Sequence, residues 1–560
     1  MASVSPAKKS SAKKNAPAAV LAAVRDVLGP DRVITDGPKL AYYVTDIAGE
    51  ANVRPLVAIK PATVDGLARA IGLLTDADIA IIPRGAGYSY SGGYQPVSSM
   101  SAIIDLTDLN QITEINETDR YVTVEASCTW ASLYDALKAR GLRTPFFGPL
   151  SGSVSTVGGA ASNNAQFFGS GAYGTMSDNV LSVDVVLADG SIIETGSAIA
   201  EGRTPFFRHF GPDLTGLFLG DCGAFGVKAR ITMPLIPLPA VQDYLSFAFE
   251  RFEDLAEAHV ALARENIVAE QWGIDPQGND NLAARGFKFL EGLSFLREVA
   301  NVQGGLNQKI ATLARTLVDG HRAVVRGGYS LHLVIEGDSA KDVELKIGRA
   351  RRILVPLAMK ELPNTIPQVT RAKPFRTIKQ LLGPEGENWL PVHGIFPFSR
   401  AMEISAITDE YFVRHRDLMK QHNISVSYLT GALSNAFTIE PMFFWKDRLH
   451  AFHQQHVTDA QRSTYGDAQP DPAARAAVAT LRHDLAMLWD AFGATHFQVG
   501  KYYDYTESLS SASAVFVKAL KAAVDPHNLM NPGALQLGVP PKVQTNRFTE
   551  FPQNLLDEHD

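Results

Sequence analysis

Cysteine is scarce in this chain, and its scarcity argues against two classes of site. Only Cys128 and Cys222 occur among the 560 residues. We therefore predict neither a disulfide framework nor a thiolate metal centre, and no metal is expected. Because disulfide-rich scaffolds belong to oxidising compartments, the default interpretation is a cytoplasmic enzyme.

Long apolar runs and clustered positive charge are also missing. The sequence has no uninterrupted stretch of about 18 apolar residues, so no membrane span is predicted. Its net charge is −7, and lysines and arginines form no long stripe, which disfavours a nucleic-acid partner. The exception is the start, where Lys8, Lys9, Lys13 and Lys14 lie among Ala, Ser and Pro. We interpret residues 1–17 as a disordered tail.

The length of the chain and a change in its texture predict more than one domain. A chain of 560 residues exceeds what one hydrophobic core usually covers. Short β-rich and helical stretches alternate as far as about residue 237, which indicates an α+β or α/β domain over 18–237. Longer amphipathic helices with strands between them follow over 238–490, and 491–560 form a C-terminal segment.

A glycine-rich loop between two apolar runs is the strongest local signal. The loop spans Pro83–Gly93 and lies between Ile79–Ile82 and Ala102–Leu106, so we expect a strand on each side. Glycines at this density allow positive φ and bring backbone N–H groups close to a bound anion such as a pyrophosphate. The spacing matches neither Gly-x-Gly-x-x-Gly nor Gly-x-x-x-x-Gly-Lys-Ser/Thr. An ordinary turn is therefore an alternative.

Further glycine-rich segments support a ligand site. Gly148–Asn164 has almost no large side chains, and Gly171–Gly174, Asp189-Gly190 and Gly220–Val227 follow it. Such segments can lie flat against a ligand and bind it through backbone, hydroxyl and amide groups. Together they suggest a long, extended dinucleotide held by many backbone contacts.

These motifs, in this order, resemble the vanillyl-alcohol oxidase/p-cresol methylhydroxylase superfamily of FAD-dependent oxidoreductases, the FAD-linked oxidase family. The resemblance extends to the ending Asp525–Gly533 and covers nearly the whole chain after the tail. It implies an α+β fold with a two-subdomain FAD-binding domain over 18–237. It also implies a substrate (cap) domain over 238–490 and a helical segment over 491–560 that returns to the FAD domain.

The resemblance also assigns cofactor contacts. Arg84–Tyr88 and Ser155–Gly159 would hold the FAD diphosphate, and Gly223–Val227 would lie along the cofactor. The cofactor-binding residues that it implies are Arg84, Gly85, Ala86, Gly87, Tyr88, Gly92, Gly93, Ser155, Thr156, Gly158, Gly159, Tyr173, Gly226, Val227 and Asn531.

Two branches of this superfamily bear on the substrate. One oxidises para-substituted phenols and aryl alcohols, and the other oxidises 2-hydroxy acids such as D-lactate or glycolate. Arg84–Gly87 and Gly220–Gly223 are more similar to the hydroxy-acid branch. That branch carries a metal-binding Gly-Asp-Gly-Asn stretch and a Glu-His-Gly, which Ser427–Asn435 and Thr495–Tyr503 replace here. A metal-assisted hydroxy-acid mechanism is therefore disfavoured.

The phenol branch fits unevenly. It binds the substrate phenolate with tyrosine hydroxyls and an arginine, which stabilise the anion. Tyr502 stands in a motif similar to its Gly-x-Tyr-Arg, with Tyr503 in place of the arginine. Ser91 stands where that branch has a second tyrosine, with Tyr90 next to it, and Thr175 replaces its aspartate. The full phenolate clamp is thus incomplete in the sequence.

Four further features carry alternatives. Some family members join FAD covalently to the substrate domain, so His393 either forms such a link or has a structural or substrate-contacting role. His496 acts as a base or hydrogen-bond donor, or is satisfied by a backbone carbonyl. Lys501 replaces the lost positive charge or is solvated. The run Phe437–Trp445 lines an aromatic pocket or forms a core strand.

The expected function is an FAD-dependent oxidase or dehydrogenase acting on CH–OH or para-alkyl phenol groups. It would move a hydride onto flavin N5 from an aryl or benzylic alcohol or a para-substituted phenol. Its catalytic residues would be Tyr502, Tyr503, His393, His496 and Tyr90, with Tyr88 also near the substrate oxygen.

Two alternatives to this function stay open. One is a metal-free 2-hydroxy-acid dehydrogenase with Arg371, Arg376 or Arg400 as the carboxylate anchor. The other is a flavin-binding protein without turnover. The expected partners are a small, aromatic substrate, an electron acceptor (oxygen, a cytochrome or a quinone) and further copies of the chain in a homo-oligomer.

Overall fold

The computed structural model describes residues 16–284, 325–372, 374–375, 382–383, 385–466 and 468–538. All but the last two residues of the predicted tail, 1–17, lie outside these ranges. Arg376, one of the three arginines considered as a carboxylate anchor, also lies outside them.

Several helices form where apolar residues repeat at helical spacing behind a capping residue. The helix after Thr63 is an example, since the Thr63 hydroxyl accepts a hydrogen bond from the Gly66 N–H at 3.0 Å. The α-helices of the described residues are Pro17–Leu28, Gly37–Tyr43, Val64–Thr75, Trp130–Lys138, Val157–Asn163, Ser170–Tyr173, Leu214–Leu217, Phe252–Glu265, Pro276–Ala284, Ala340–Leu354, Thr365–Ala372, Ala401–Arg414, Arg416–Gln421, Ala451–His456, Asp459–Tyr465, Pro472–Ala491, Tyr505–Ser508 and Ser511–Val524.

The strands are short before residue 227 and longer after it. In chain order they are Val33–Ile34 (β1), Thr45–Asp46 (β2), Gly49–Glu50 (β3), Val57–Ile59 (β4), Ala80–Arg84 (β5), Ser101–Asp105 (β6), Ile112–Asn116 (β7), Tyr121–Glu125 (β8), Leu142–Arg143 (β9), Ser182–Val186 (β10), Ile192–Glu194 (β11), Val227–Pro234 (β12), Ile236–Pro237 (β13), Val241–Phe249 (β14), Glu270–Ile274 (β15), Tyr329–Gly337 (β16), Lys360–Leu362 (β17), Asn388–Pro391 (β18), Gly394–Pro397 (β19), Ser425–Ala432 (β20) and Ala436–Trp445 (β21).

Two sheets organise the first part of the chain. A four-stranded sheet has the order β1-β4-β6-β5, in which β4 and β5 run parallel to β6. These three strands are buried along their whole length, as expected of parallel strands covered on both faces. A five-stranded antiparallel sheet has the order β11-β10-β12-β8-β7. The glycine-rich loop leaves the carboxyl end of β5, where ligands commonly bind in open parallel sheets.

A larger antiparallel sheet organises the second part. Its order is β17-β14-β16-β15-β20-β21-β18, and β19 also pairs with β21. The helices Phe252–Glu265, Ala401–Arg414 and Pro472–Ala491 bury apolar faces in the same core as this sheet. The combination of helices with separate sheets confirms the predicted α+β class.

The described residues form two main hydrophobic cores, one in each of these two parts of the chain. One core is built from residues between 20 and 235 with Phe375 and 530–537. The other is built chiefly from residues between 245 and 489. We call these parts the loop half and the sheet half. The exact domain boundaries given above stay a prediction.

None of the helices in the described ranges combines the length and the apolar character needed to cross a bilayer.

Candidate functional site

The glycine-rich loops and the large sheet enclose one cavity of about 470 Å³. This volume lies within the range of about 300–1,000 Å³ that is usual for small-molecule sites. The loop half contributes Arg84–Tyr90 and parts of 149–171, and the sheet half contributes residues of β15, β20 and β21. The site therefore lies between the two cores.

We call the cavity lining from the loop half the loop wall and that from the sheet half the sheet wall. At several glycines of the loop wall, a side chain would collide with neighbouring residues. A Cβ on Gly85 would lie 2.8 Å from Thr156 Oγ1, and one on Gly158 would lie 2.7 Å from the Ala126 carbonyl oxygen. A Cβ on Gly226 would collide with Val185. Glycine is thus required here for close packing, and it leaves the backbone of this wall open toward the cavity.

Several buried polar atoms on the loop wall have no hydrogen-bond partner within the described chain. A buried polar group left unpaired costs about 1–3 kcal/mol, so such a cluster indicates a polar ligand. The diphosphate and ribityl hydroxyls of FAD match these donors and acceptors. The atoms are Arg84 Nη2, Tyr88 OH, Ser89 Oγ, Ser127 Oγ, Ser155 Oγ and Gln166 Oε1.

Most of the predicted cofactor residues lie on this wall, but five do not. Those on the wall are Arg84, Gly85, Ala86, Gly87, Tyr88, Ser155, Thr156, Gly158, Gly159 and Gly226. Gly92, Gly93, Val227 and Asn531 lie behind it: the Asn531 side-chain amide donates to the carbonyls of Gly93 and Cys222 at 2.8 and 2.6 Å, so it ties two loops together.

Tyr173 is a correction to the predicted set. Its side chain is 40% exposed and lies away from the cavity wall. The Arg143 guanidinium carbon is 5.6 Å from its ring centroid, and the Tyr173 carbonyl accepts a hydrogen bond from Asn179. These contacts give Tyr173 a structural role at the surface.

Aromatic side chains gather around Tyr90 on the cavity wall. The rings of Tyr90 and Trp389 have centroids 5.1 Å apart, and both residues line the cavity with Phe497. Burial raises the pKa of Tyr90 far above its ordinary value, so its hydroxyl stays neutral. The run Phe437–Trp445 serves both roles considered for it, because successive side chains of β21 point to opposite faces of the sheet. Its cavity-facing residues are Thr438, Glu440, Met442 and Phe444, and Phe437, Ile439, Phe443 and Trp445 belong to the core.

Glu440 joins the cavity to His393 and Tyr503. Glu440 Oε1 is 3.1 Å from His393 Nε2, and His393 Nδ1 is 3.3 Å from the Tyr503 hydroxyl. His393 is buried and does not line the cavity. Because both of its ring nitrogens have partners, no free nitrogen points to the flavin site, and this geometry argues against covalent attachment there.

The predicted cluster of four tyrosines around the substrate oxygen is not assembled. Tyr88 and Tyr90 line the cavity, but Tyr502 and Tyr503 lie behind its wall. The Tyr503 hydroxyl is engaged by His393, and the Tyr502 ring lies 4.4 Å from the Arg482 guanidinium carbon. The Tyr503 hydroxyl therefore supports the wall, whereas the buried Tyr502 hydroxyl has no hydrogen-bond partner among the described residues.

His496 has the backbone partner that was considered for it. Its Nδ1 lies 2.5 Å from the His393 carbonyl oxygen, and its Nε2 lies 2.7 Å from Asp490 Oδ1. Its ring stacks on Tyr503 with centroids 4.0 Å apart. His496 is thus a structural neighbour of His393 and has no place on the cavity wall.

Lys501 and Arg482 are both held behind the Tyr90 loop. Lys501 Nζ donates to the Gln95 carbonyl oxygen at 2.6 Å, and burial lowers its pKa to about 7, so it is not a solvated lysine. Arg482 donates to the carbonyls of Pro391 and Tyr90. Arg482 was not among the predicted site residues, although an arginine among the apolar residues of the helix Pro472–Ala491 is a visible signal.

A buried ion-pair network borders the other end of the sheet wall. Arg371 Nη1 lies 2.9 Å from Glu270 Oε1, and Arg371 Nη2 pairs with Glu336, which also pairs with Arg143. Glu270 lines the cavity, whereas Arg371 does not. Arg400 lies at the surface and pairs with Glu403 at 2.6 Å. Neither arginine is therefore placed to bind a ligand in the cavity.

Metal-ligating residues do not gather in the described ranges: no three His, Cys, Asp or Glu side chains there are arranged to hold an ion.

Comparison with known proteins identifies the cofactor. Residues 55–196 match the family model described as an FAD binding domain. These residues include the loop at Arg84–Tyr88 and the segment Ser155–Gly159, which form the wall with open backbone and unpartnered polar atoms. FAD is thus the cofactor of this cavity.

Curated relatives match over part of their length. The chain is 29% identical over 231 residues to the glycolate oxidase subunit GlcD of Bacillus subtilis, covering 41% of this chain and 47% of that protein. It is 26% identical over 216 residues to D-lactate dehydrogenase (cytochrome) 1, mitochondrial, of Saccharomyces cerevisiae, covering 38% and 35%. The match thus spans less than half the length of these two relatives.

Solved structures share the fold over nearly the whole chain. p-Cresol methylhydroxylase with substrate bound has a TM-score of 0.72 and 16% identity, covering 93% of this chain and 98% of that one. Alkyldihydroxyacetonephosphate synthase has a TM-score of 0.65 and 15% identity, covering 92% and 85%. At these identities the likeness is one of fold.

Proposed function

We propose that this chain is an FAD-dependent oxidoreductase that dehydrogenates an uncharged alcohol with an aromatic or apolar body. The observation that carries the proposal is a continuous cavity, which joins the FAD-binding loop wall to an aromatic chamber around Tyr90, Trp389 and Phe497. A substrate in that chamber would lie beside the cofactor.

The chain's own groups divide the work between the two walls. Bound FAD would supply a two-electron acceptor for the hydride of the substrate carbon. The loop backbone at Gly85 and the unpaired hydroxyls of Ser89 and Ser155 would bind its polar parts. The aromatic rings of Tyr90, Trp389 and Phe497 would orient the substrate and exclude water.

The charges on the sheet wall favour an uncharged substrate. Among the described residues that the sheet half contributes to the cavity, the ionisable side chains apart from Tyr428 are the carboxylic acids Glu270 and Glu440, and none is a lysine or arginine. A carboxylate brought beside them would meet like charge in a partly desolvated site. An alcohol without a charge avoids this cost.

The position of the tyrosines favours a substrate that is oxidised at an alcohol carbon over a para-alkyl phenol. A phenolate needs converging hydroxyls and a cation. The Tyr502 and Tyr503 hydroxyls lie behind the wall, and Arg482 is directed to carbonyl groups. Of the residues predicted to hold a phenolate, Tyr90 and Tyr88 alone line the cavity.

A 2-hydroxy acid is the second candidate substrate. It is favoured by the names of the curated relatives, a glycolate oxidase subunit and a D-lactate dehydrogenase. The geometry gives it less support, because Arg371 is already bound by two glutamates.

Anaerobic mixing of the FAD-loaded protein with two matched panels tests the proposal. We expect benzylic and apolar alcohols to bleach the flavin absorbance, and glycolate and D-lactate to leave it unchanged. Bleaching by the hydroxy acids alone would replace the first substrate class with the second. If neither panel bleached the flavin, the proposed activity would be wrong and a flavin-binding role without turnover would stand.

A further inference from the structure

We propose that Glu440 accepts the hydroxyl proton of the substrate, and that His393 and Tyr503 are positioning residues that hold its carboxylate on the cavity wall. The inference rests on the proposed function and names the proton acceptor for it. It follows from the directions of three hydrogen bonds, which the geometry determines one after another.

The first bond orients the Tyr503 hydroxyl. Its oxygen accepts the backbone N–H of His393 at 2.7 Å. The hydroxyl proton is therefore available for another acceptor, and His393 Nδ1 lies 3.3 Å away. Tyr503 is buried, and burial raises its pKa far above the ordinary value, so it remains a donor.

The second and third bonds determine the tautomer of His393. Because Nδ1 accepts the proton of Tyr503, the proton of the neutral imidazole lies on Nε2. Nε2 then donates to Glu440 Oε1 at 3.1 Å. A neutral N–H donor orients the carboxylate and stabilises its charge without cancelling it as a cation would.

The surroundings keep this arrangement rigid. Phe497 packs on the imidazole with ring centroids 4.3 Å apart, and the His393 carbonyl accepts from His496. Arg482 donates to the carbonyls of Pro391 and Tyr90, so it ties the backbone just before His393 to the Tyr90 loop. The other ionisable groups near His393 and Glu440 are Tyr90, Tyr502 and Asp490.

Glu440 is the member of this set that can reach a substrate. Its side chain is 26% exposed and lies on the cavity wall between Thr438 and Met442. His393 is 2% exposed, and Tyr503 is also buried. The chain of bonds thus ends at a carboxylate beside the aromatic chamber.

The proposed step balances in protons and electrons. The substrate alcohol loses its carbon-bound hydrogen as a hydride to FAD and its hydroxyl proton to the Glu440 carboxylate. The C–O single bond becomes a carbonyl, so the alcohol is oxidised by two electrons and FAD is reduced by two. Glu440 later releases its proton to solvent.

Flavin reduction by the alcohol panel tests the role of Glu440. We expect Glu440→Gln to slow reduction by about 100-fold, which is the usual scale for a general base, with little change in the alcohol concentration that gives half the maximal rate. The matched control is Glu403→Gln, at a surface ion pair with Arg400, and it should behave as wild type.

Rescue and positioning variants separate catalysis from structure. Glu440→Asp should recover part of the rate, and Tyr503→Phe should lower it by roughly 10-fold with an altered pH profile and unchanged FAD content. A Glu440→Gln variant that reduces FAD as fast as wild type would overturn the proposal.

NMR of isotope-labelled histidine nitrogens provides a readout that needs no substrate. With His393 assigned from a His393→Gln sample, the wild-type FAD-loaded protein should show the tautomer with the proton on Nε2. Tyr503→Phe should remove that preference. An Nδ1–H tautomer or an imidazolium at neutral pH would overturn the proposal, even if no alcohol reduced the flavin and the proposed function failed separately.

Discussion

The two walls of the cavity bind by different means. The loop wall offers open backbone and polar atoms without partners in the described chain, such as Ser155 Oγ and Tyr88 OH. On the sheet wall, the two carboxylic acids already have partners: Glu270 pairs with Arg371 and Glu440 with His393. The loop wall thus offers a cluster of unpaired polar groups to a cofactor, whereas each acid of the sheet wall is held by a partner within the protein. Unpaired buried atoms occur on the sheet wall as well, at Glu270 Oε2 and Gln271 Nε2.

This difference separates residues that stabilise the fold from residues that bind the cofactor. Charged side chains of the sheet half form internal pairs, so removing one partner of a pair should destabilise the folded protein. The loop half leaves polar groups for FAD, so changes there should act first on cofactor affinity. The following variants test this division, from the largest expected effect to the smallest.

Arg371→Met should lower the free energy of unfolding by about 3–5 kcal/mol. It leaves Glu270 and Glu336 buried beside each other without their shared cation. Urea denaturation of the variant and of Arg351→Met, whose exposed pair with Glu361 should be worth at most about 1 kcal/mol, measures the difference. Equal losses in both variants would show that the sheet half does not depend on its buried pairs.

Acid should destabilise the sheet half through its buried histidines. Burial lowers the pKa of His259 to about 4 and that of His332 to about 3, from an ordinary value of 6.5. Their contribution is complete above pH 6.5 and is lost as the pH falls, because the unfolded chain then binds protons that the folded chain does not.

His259→Gln should therefore remove up to about 3 kcal/mol of the change in unfolding free energy between pH 6.5 and 4. Denaturation curves at several pH values measure it, with exposed His483→Gln as the control. An unchanged pH dependence in His259→Gln would mean that this histidine is protonated in the folded protein.

Gly158→Ala should weaken FAD binding by about 100-fold, or nearly 3 kcal/mol. The new Cβ would lie 2.7 Å from the Ala126 carbonyl oxygen, so the loop wall must shift. Flavin fluorescence titration measures affinity, and unfolding of the apoprotein reports stability. The control is Gly348→Ala on the helix Ala340–Leu354, where the nearest atom is Arg352 Nη1 at 3.8 Å. Full FAD affinity in Gly158→Ala would contradict the close-packed loop wall.

Arg400→Ala should have the smallest effect. It removes one surface ion pair with Glu403, worth about 0.3–0.5 kcal/mol, and should leave flavin reduction unchanged with either panel. Loss of hydroxy-acid oxidation in this variant would restore Arg400 as a carboxylate anchor.

The cofactor side of the site was the more predictable side. Gly85, Thr156 and Gly158 stand in short segments whose local spacing already indicates a backbone-binding loop, and the structure places them on one wall. Tyr173 was misjudged because its motif fixes a turn but does not decide which way the ring points.

The residues of the substrate side come together through contacts between segments distant in the sequence, which no local sequence pattern indicates. His393 and Glu440 are 47 residues apart, and His393 and Tyr503 are 110 apart. Glu440 escaped the sequence analysis, although a carboxylic acid amid the apolar residues of β21 is a detectable signal. Tyr503 was identified, but its predicted contact with substrate is replaced by a bond to His393.

The sequence by itself determined where the glycine-rich loops lie, because binding through backbone atoms requires glycine and small residues. The resemblance that these motifs carry implied the α+β class and FAD as the ligand. The tertiary structure alone decided which tyrosines face the cavity and that Glu440 lies on its wall. The reason is physical: the register of β21 between β20 and β18 sets which of its side chains point to the cavity, and strands distant in sequence set that register.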